Sequence, residues 1–255
     1  MKKIRITLQY DGTNYSGWQI QPDRTTIQGL LEEALKRITG AETKTVAAGR
    51  TDAGVHAIEQ VVAFETSSGL LPEVFQRALN ALLPEDIRVI SAGYAEENFH
   101  PRYDAKSKSY VYIINNSSVK NPFLVRYAYY FGRRLDVERM LKASSYLIGR
   151  HDFRTFQASG CGAKRTVRTV KRIDILLKDS LEFLDFLFQG KFIVFRIEAD
   201  AFLRYMVRNI VGTLIEAGTG KRPPEEIRDI LIGRDRRLAG PTAPPQGLFL
   251  ERIYY

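Results

Sequence analysis

Two hydrophobic periods in the first hundred residues constrain the fold more than any other feature of the chain. Ile4, Ile6, Leu8 and Tyr10 alternate with Arg5, Thr7 and Gln9, the two-residue period of a strand buried on one face. Asp11-Gly12-Thr13-Asn14 breaks that run. Ile27, Leu30, Leu31, Ala34, Leu35 and Ile38 then recur at helical spacing, with Thr25 or Thr26 placed to cap the helix and Gly40 to end it. The same two periods return further on. They predict strands near 44–48 and over 57–65, a helix from Leu71-Pro72 to Leu83 with proline in its first turn, and a strand over 87–96. The order β-α-β-β-α-β is that of the split βαβ, or ferredoxin-like, unit.

The second half repeats this logic less regularly. Strands are predicted over 109–115, 127–131, 168–177 and 192–199, with a closing strand over 247–254. Helices are predicted over 135–148 and 201–217, and from Pro223-Pro224 to Ile232. The chain therefore reads as α+β. Two ferredoxin-like, RNA-recognition-like halves, 1–104 and 105–255, are expected to join into one large mixed, mostly antiparallel sheet with a central cleft. The segment from Leu181 to Phe188 is unusually apolar for a hairpin and reads equally as a strand extension or as a contact surface.

Charge points to a partner. Between Arg126 and Arg172 there are 12 Lys and Arg against three acids, so this stretch carries the whole net charge of +9 and the remainder is about neutral. Within it, His151-Asp152-Phe153-Arg154-Thr155-Phe156 and Lys164-Arg165-Thr166-Val167-Arg168 mix cations with aromatic and small polar residues. Cations neutralise phosphates, and aromatic and guanidinium planes accept unstacked bases. The expected partner is a nucleic acid, and RNA rather than DNA, with Arg154, Lys164, Arg165 and Arg168 as candidate contacts.

Other classes are excluded. One cysteine, Cys161, allows neither an intrachain disulfide nor a cysteine-rich zinc site and suits a reducing compartment. No long apolar stretch follows Met1-Lys2-Lys3, and no run is long enough to span a membrane, so a cytoplasmic protein with no membrane partner is expected. His56, His100 and His151 are scattered, and no phosphate-binding glycine loop is present, so neither metal nor cofactor is expected. Cys161, between Gly160 and Gly162 with no base nearby in sequence, is not read as a nucleophile.

The segment Ala48-Gly49-Arg50-Thr51-Asp52-Ala53-Gly54-Val55-His56-Ala57 places one carboxylate beside a guanidinium, between two glycines, ahead of the apolar Val61-Val62-Ala63-Phe64. Gly49 and Gly54 read as hinges of a rigid turn with Arg50 and Asp52 at its tip. Four more segments stand with it. They are Tyr10-Asp11-Gly12-Thr13 with Gly17-Trp18-Gln19; Phe99-His100-Pro101-Arg102-Tyr103 leading to Ala105-Lys106-Ser107-Lys108-Ser109-Tyr110-Val111-Tyr112; Phe202-Leu203-Arg204-Tyr205-Met206-Val207-Arg208-Asn209; and Pro241-Thr242-Ala243-Pro244-Pro245-Gln246-Gly247-Leu248.

In that order these segments resemble the TruA-type tRNA pseudouridine synthases, over nearly the whole chain. The resemblance implies an isomerase that converts uridine to pseudouridine at positions 38, 39 and 40 of the tRNA anticodon stem-loop, without a cofactor, as a homodimer. It implies Asp52 as the essential carboxylate, acting at C6 of uracil, at C1′ of ribose, or as a base. Arg50 matches an arginine that takes the place of the extruded base. Tyr110 matches a tyrosine that stacks on the uracil, although Tyr112 shares its strand face. Arg208 matches the arginine that pairs with the carboxylate, with Arg204, one helical turn earlier, as the competing candidate. Leu203 is expected to wall the uracil pocket, Trp18 to pack and His56 to stabilise the loop. Gln246 stands where the family often carries histidine. A non-catalytic RNA-binding module and an N-glycosylase are the competing readings, and product analysis separates them.

Overall fold

A computed structural model describes residues 1–160, 163 and 165–255. Cys161 and the candidate RNA contact Lys164 lie outside the described residues. Among the described residues, ten strands, paired mostly antiparallel, and five α-helices make a mixed α+β fold, the class that the periodicity predicts. The chain divides into two compact units: Met1–Lys108 with Phe249–Tyr255, and Ser109–Leu248.

The first unit contains β1 (Lys2–Tyr10), α1 (Ile27–Thr39), β2 (Thr45–Ala47), β3 (His56–Thr66), α2 (Pro72–Leu82) and β4 (Ile87–Tyr94), and most of the C-terminal strand β10 (Leu248–Tyr254). β1 lies between β3 and β4 and is antiparallel to both, with Ile6 opposite Val62 and Ala92. β2 pairs antiparallel with β3, and β10 runs parallel to β3 at Phe249↔His56 and Leu250↔Ala57. The alternation read from Ile4 to Tyr10 is the buried face of β1. Ile4, Ile6 and Leu8 are fully buried, as are Leu31 and Leu35 of α1. Each such side chain contributes about 1.5–3 kcal/mol of burial. Thr26 is the cap of α1, its hydroxyl accepting from Gly29 N at 3.2 Å.

The second unit contains β5 (Ser107–Asn115, its first two residues grouped with the first unit), β6 (Tyr129–Tyr130), α3 (Val137–Ser145), β7 (Gly149–Asp152), β8 (Val167–Phe183), β9 (Phe186–Ala199), α4 (Met206–Gly218) and α5 (Glu226–Gly233). β8 and β9 form a long antiparallel hairpin from Ile173↔Ile197 out to Phe183↔Phe186. Its two-residue turn, Leu184-Asp185, has both φ positive, the geometry that matches strand twist. The apolar 181–188 segment is therefore a strand extension, with Leu184, Phe186 and Leu187 exposed at its tip.

Several elements differ from the periodic reading, β8 and β9 among them, each of which runs six residues further toward the turn than predicted. α3 starts at Val137 because the Asp136 carboxylate accepts from Arg139 N at 3.1 Å and caps it there. β7, too short to show a period, pairs with β8 at His151↔Arg168. α4 starts at Met206, not Ala201, because Tyr205 has φ +64, which no right-handed helix can contain. Arg204 therefore precedes the helix instead of sharing a face with Arg208. Among the described residues, no helix is long and apolar enough to cross a membrane.

Candidate active site

Asp52 sits half-buried at the first position of a turn in which Val55 N donates to Asp52 O at 3.1 Å and Gly54 takes φ +74. The backbone on either side is held by the segment that follows β1. Trp18 N donates to Thr51 O at 3.0 Å, and Gly54 N donates to Tyr15 O at 3.3 Å. The close approach needs glycine. A Cβ on Gly17 would lie 2.7 Å from Thr51 O, and one on Gly12 would lie 2.0 Å from Val55 O. Gly49, expected as the second hinge, has neither a positive φ nor a close neighbour, so the hinge pair of the sequence reading is replaced by Gly54 with Gly12 and Gly17.

Side chains complete the brace. The Tyr10 hydroxyl and Thr51 Oγ1 are 2.8 Å apart, both buried. Burial pushes the Tyr10 phenol up to about 12, against the hydrogen bonds from Thr51 and Gln60, so it is a neutral hydrogen-bonding group at physiological pH. Gln60 Nε2 donates to Gly49 O at 2.8 Å, and the buried Lys108 ammonium donates to Ala48 O. His56 stacks on Phe249 at 4.6 Å, with Nδ1 3.0 Å from Asp11 Oδ1 and 3.1 Å from Gly12 N. It links the loop to the strand break after β1, which is the stabilising place expected of it. Trp18 is buried, its ring 6.4 Å from Tyr10, and is a packing residue. Arg50 is exposed at the loop.

In the second unit, Tyr110 lies on β5, buried, with its ring edge-on to Phe202 at 5.0 Å. Tyr112 is fully buried and donates its hydroxyl to Pro244 O at 2.7 Å; burial raises its pKa well above the ordinary tyrosine value. Of the two tyrosines on that strand, Tyr112 is thus committed to structure. α4 is buried along its length except at Arg208, which is half-buried. Arg208 Nε donates to Ala243 O at 2.7 Å, and Ala243 N donates back to Arg208 O at 3.1 Å. Leu203 is buried in the turn before the helix.

The 241–248 segment is the brace for both elements. A Cβ on Gly212 would lie 1.7 Å from Pro241 O, so α4 meets this segment backbone to backbone. Asn209, buried, donates to Phe156 O at 2.8 Å and accepts from Thr242 Oγ1 at 2.7 Å and from Arg236 Nη2 at 3.1 Å.

Comparison with known proteins shows the family of the chain. The family model described as tRNA pseudouridine synthase matches residues 6–104 and 143–255. The chain belongs to the tRNA pseudouridine synthase family. Curated relatives named tRNA pseudouridine synthase A include proteins of Moorella thermoacetica, 46% identical, and Thermoanaerobacter sp. (strain X514), 45% identical, each with all of both chains covered. The Myxococcus xanthus protein of that name is 40% identical over all of this chain and 92% of its own. Membership makes the chain an isomerase of uridine in tRNA.

Within this pseudouridine synthase, Arg154 and Arg165 are exposed, and Arg154 lies on a 3-10 turn, Arg154–Phe156. Arg168 is half-buried on β8 and donates to its neighbour's carbonyl, Val167 O, at 2.7 Å. Among the described residues, no group of three or more His, Cys, Asp and Glu could hold a metal ion. Sequence reasoning missed Tyr10, Gln60, Lys108, Ala243 and Tyr205 as supports. Tyr10 reads as an apolar strand position, and Lys108 stands in the sequence only as part of a motif segment. Except for Tyr205, which meets its neighbours Arg204 and Arg208, their partners are remote in sequence.

Proposed function

We propose that this synthase isomerises uridine at positions 38, 39 and 40 in the anticodon stem-loop of tRNA, with Asp52 as its catalytic nucleophile or base. The N1–C1′ bond breaks, the uracil turns while held, and a C5–C1′ bond forms. The proton on C5 is lost and N1 gains one, so no redox partner or cofactor is required. A carboxylate suits the task because it can bond to or stabilise an electron-poor carbon and then leave. The observation that carries this reading is the placement of Asp52, half-buried on a loop whose backbone is fixed from both sides within the family's matched residues.

Tyr110 gives the uracil a flat apolar face, Leu203 walls it, Arg208 acts as the cation at the reacting nucleoside, and Arg50 fills the stack where the base left. Arg154, Lys164, Arg165 and Arg168 hold the phosphate backbone. A cytoplasmic homodimer binding one tRNA is part of the same reading, tested by sedimentation with and without tRNA. The deciding experiment is tritium release from tRNA carrying [5-³H]uridine, using transcripts with cytidine at 38, 39 or 40. Release should vanish when all three are replaced. Release that persists would move the target site elsewhere.

A further inference from the structure

The turn that delivers Arg208 contains a residue in a conformation its own side chain disfavours. Tyr205, directly before α4, has φ +64 and ψ +2. For a bulky residue this left-handed region is strained and persists only where the surroundings impose it. Glycine would make the same turn without that strain. Nor does the tyrosine act as a cap, since its side chain makes no hydrogen bond to the open end of α4.

What the ring meets is charge. The guanidinium carbon of Arg208 lies 4.8 Å from the ring centroid, and that of Arg204 lies 4.9 Å from it. Arg208 Nε is fixed on Ala243 O. That bond anchors the guanidinium at Nε, one edge of its plane. An aromatic ring within cation–π distance restrains the plane.

We propose that Tyr205 is a positioning residue for the isomerisation. Its ring holds the guanidinium of Arg208 in the orientation needed at the reacting nucleoside, and the strained backbone at 205 is what brings the ring there. The proposal rests on the reading of Arg208 given above. A tyrosine retained only to make the turn would be replaceable by glycine; a tyrosine that orients Arg208 is replaceable only by another aromatic residue.

The test uses the full-length protein with Tyr205→Phe, Tyr205→Leu and Tyr205→Gly, each alone and with Arg208→Met. Single-turnover tritium release, tRNA affinity and thermal unfolding are measured. Tyr205→Phe should keep the rate within about twofold. Tyr205→Leu and Tyr205→Gly should slow the chemical step about tenfold, the loss of one cation–π contact, with affinity unchanged. Tyr205→Gly should do so while unfolding no earlier than the parent protein. On the Arg208→Met background, Tyr205→Leu should add nothing. Full-rate turnover by Tyr205→Gly, or a Tyr205→Leu loss that multiplies with that of Arg208→Met, overturns the proposal. If Arg208→Met itself turns over normally, the reading of Arg208 fails and this one with it. If Arg208→Met is slow and Tyr205→Leu is not, only the role of Tyr205 falls.

Discussion

The Asp52 loop and the Arg208 turn are held by different means. Around Asp52 the contacts are largely backbone on backbone: Trp18 N on Thr51 O, Gly54 N on Tyr15 O, and the glycine contacts of residues 12 and 17. Around Arg208 one backbone bond, Ala243 N on Arg208 O, is joined by contacts of side chains: the guanidinium on the carbonyl of Ala243, thirty-five residues further along the chain, and the ring of a strained tyrosine. Backbone contacts leave little freedom and tolerate little change. Side-chain contacts can be adjusted one at a time. The loop should therefore fail in stability when its glycines are altered, whereas the turn should fail in rate while the fold survives.

The largest expected effect falls on the loop. Asp52→Asn keeps the size and most of the hydrogen bonding of the carboxylate but can act as neither nucleophile nor base. It should fold, bind tRNA within a few-fold of the parent protein and form no detectable pseudouridine. Appreciable turnover would remove Asp52 from the catalytic role, and failure to fold would make it a turn-former. Arg208→Met should come next, lowering turnover by roughly a hundredfold with a much smaller change in tRNA affinity, as for the loss of a cation acting at the reacting atoms. Loss of affinity alone would make Arg208 a phosphate contact and restore Arg204 as the candidate.

Gly12→Ala tests the other side of the comparison. Its Cβ cannot fit beside Val55 O, so denaturant unfolding should show about 2–4 kcal/mol lost. Unchanged stability would mean that the loop is more compliant than its backbone contacts indicate. Tyr112→Phe, which removes one partly buried hydrogen bond to Pro244, should cost about 1 kcal/mol, because the carbonyl loses its donor. The smallest effect concerns the basic stretch. Arg165→Ala should weaken tRNA binding alike for all tRNAs and lower the salt slope by roughly one; Arg168→Ala should do the same, unless its half-buried guanidinium serves β8 instead of a phosphate. An unchanged slope at both would turn these side chains away from the RNA.

The sequence by itself determined the elements whose signals are local. Alternation marked β1, helical spacing between Thr26 and Gly40 marked α1, and the ordered motifs marked the family and the loop that carries Asp52. Each depends on residues near one another in the chain, so each is visible as a pattern. The start of α4 was not, because composition from 201 to 217 favours a helix throughout and only the left-handed turn at Tyr205 stops it. Nor was the work of residues 241–248, whose partners at Gly212, Arg208 and Tyr112 lie tens of residues or more away. Close packing of remote backbones decided those features, since a Cβ that cannot fit or a carbonyl that must find a donor acquires its meaning only once the two segments have met.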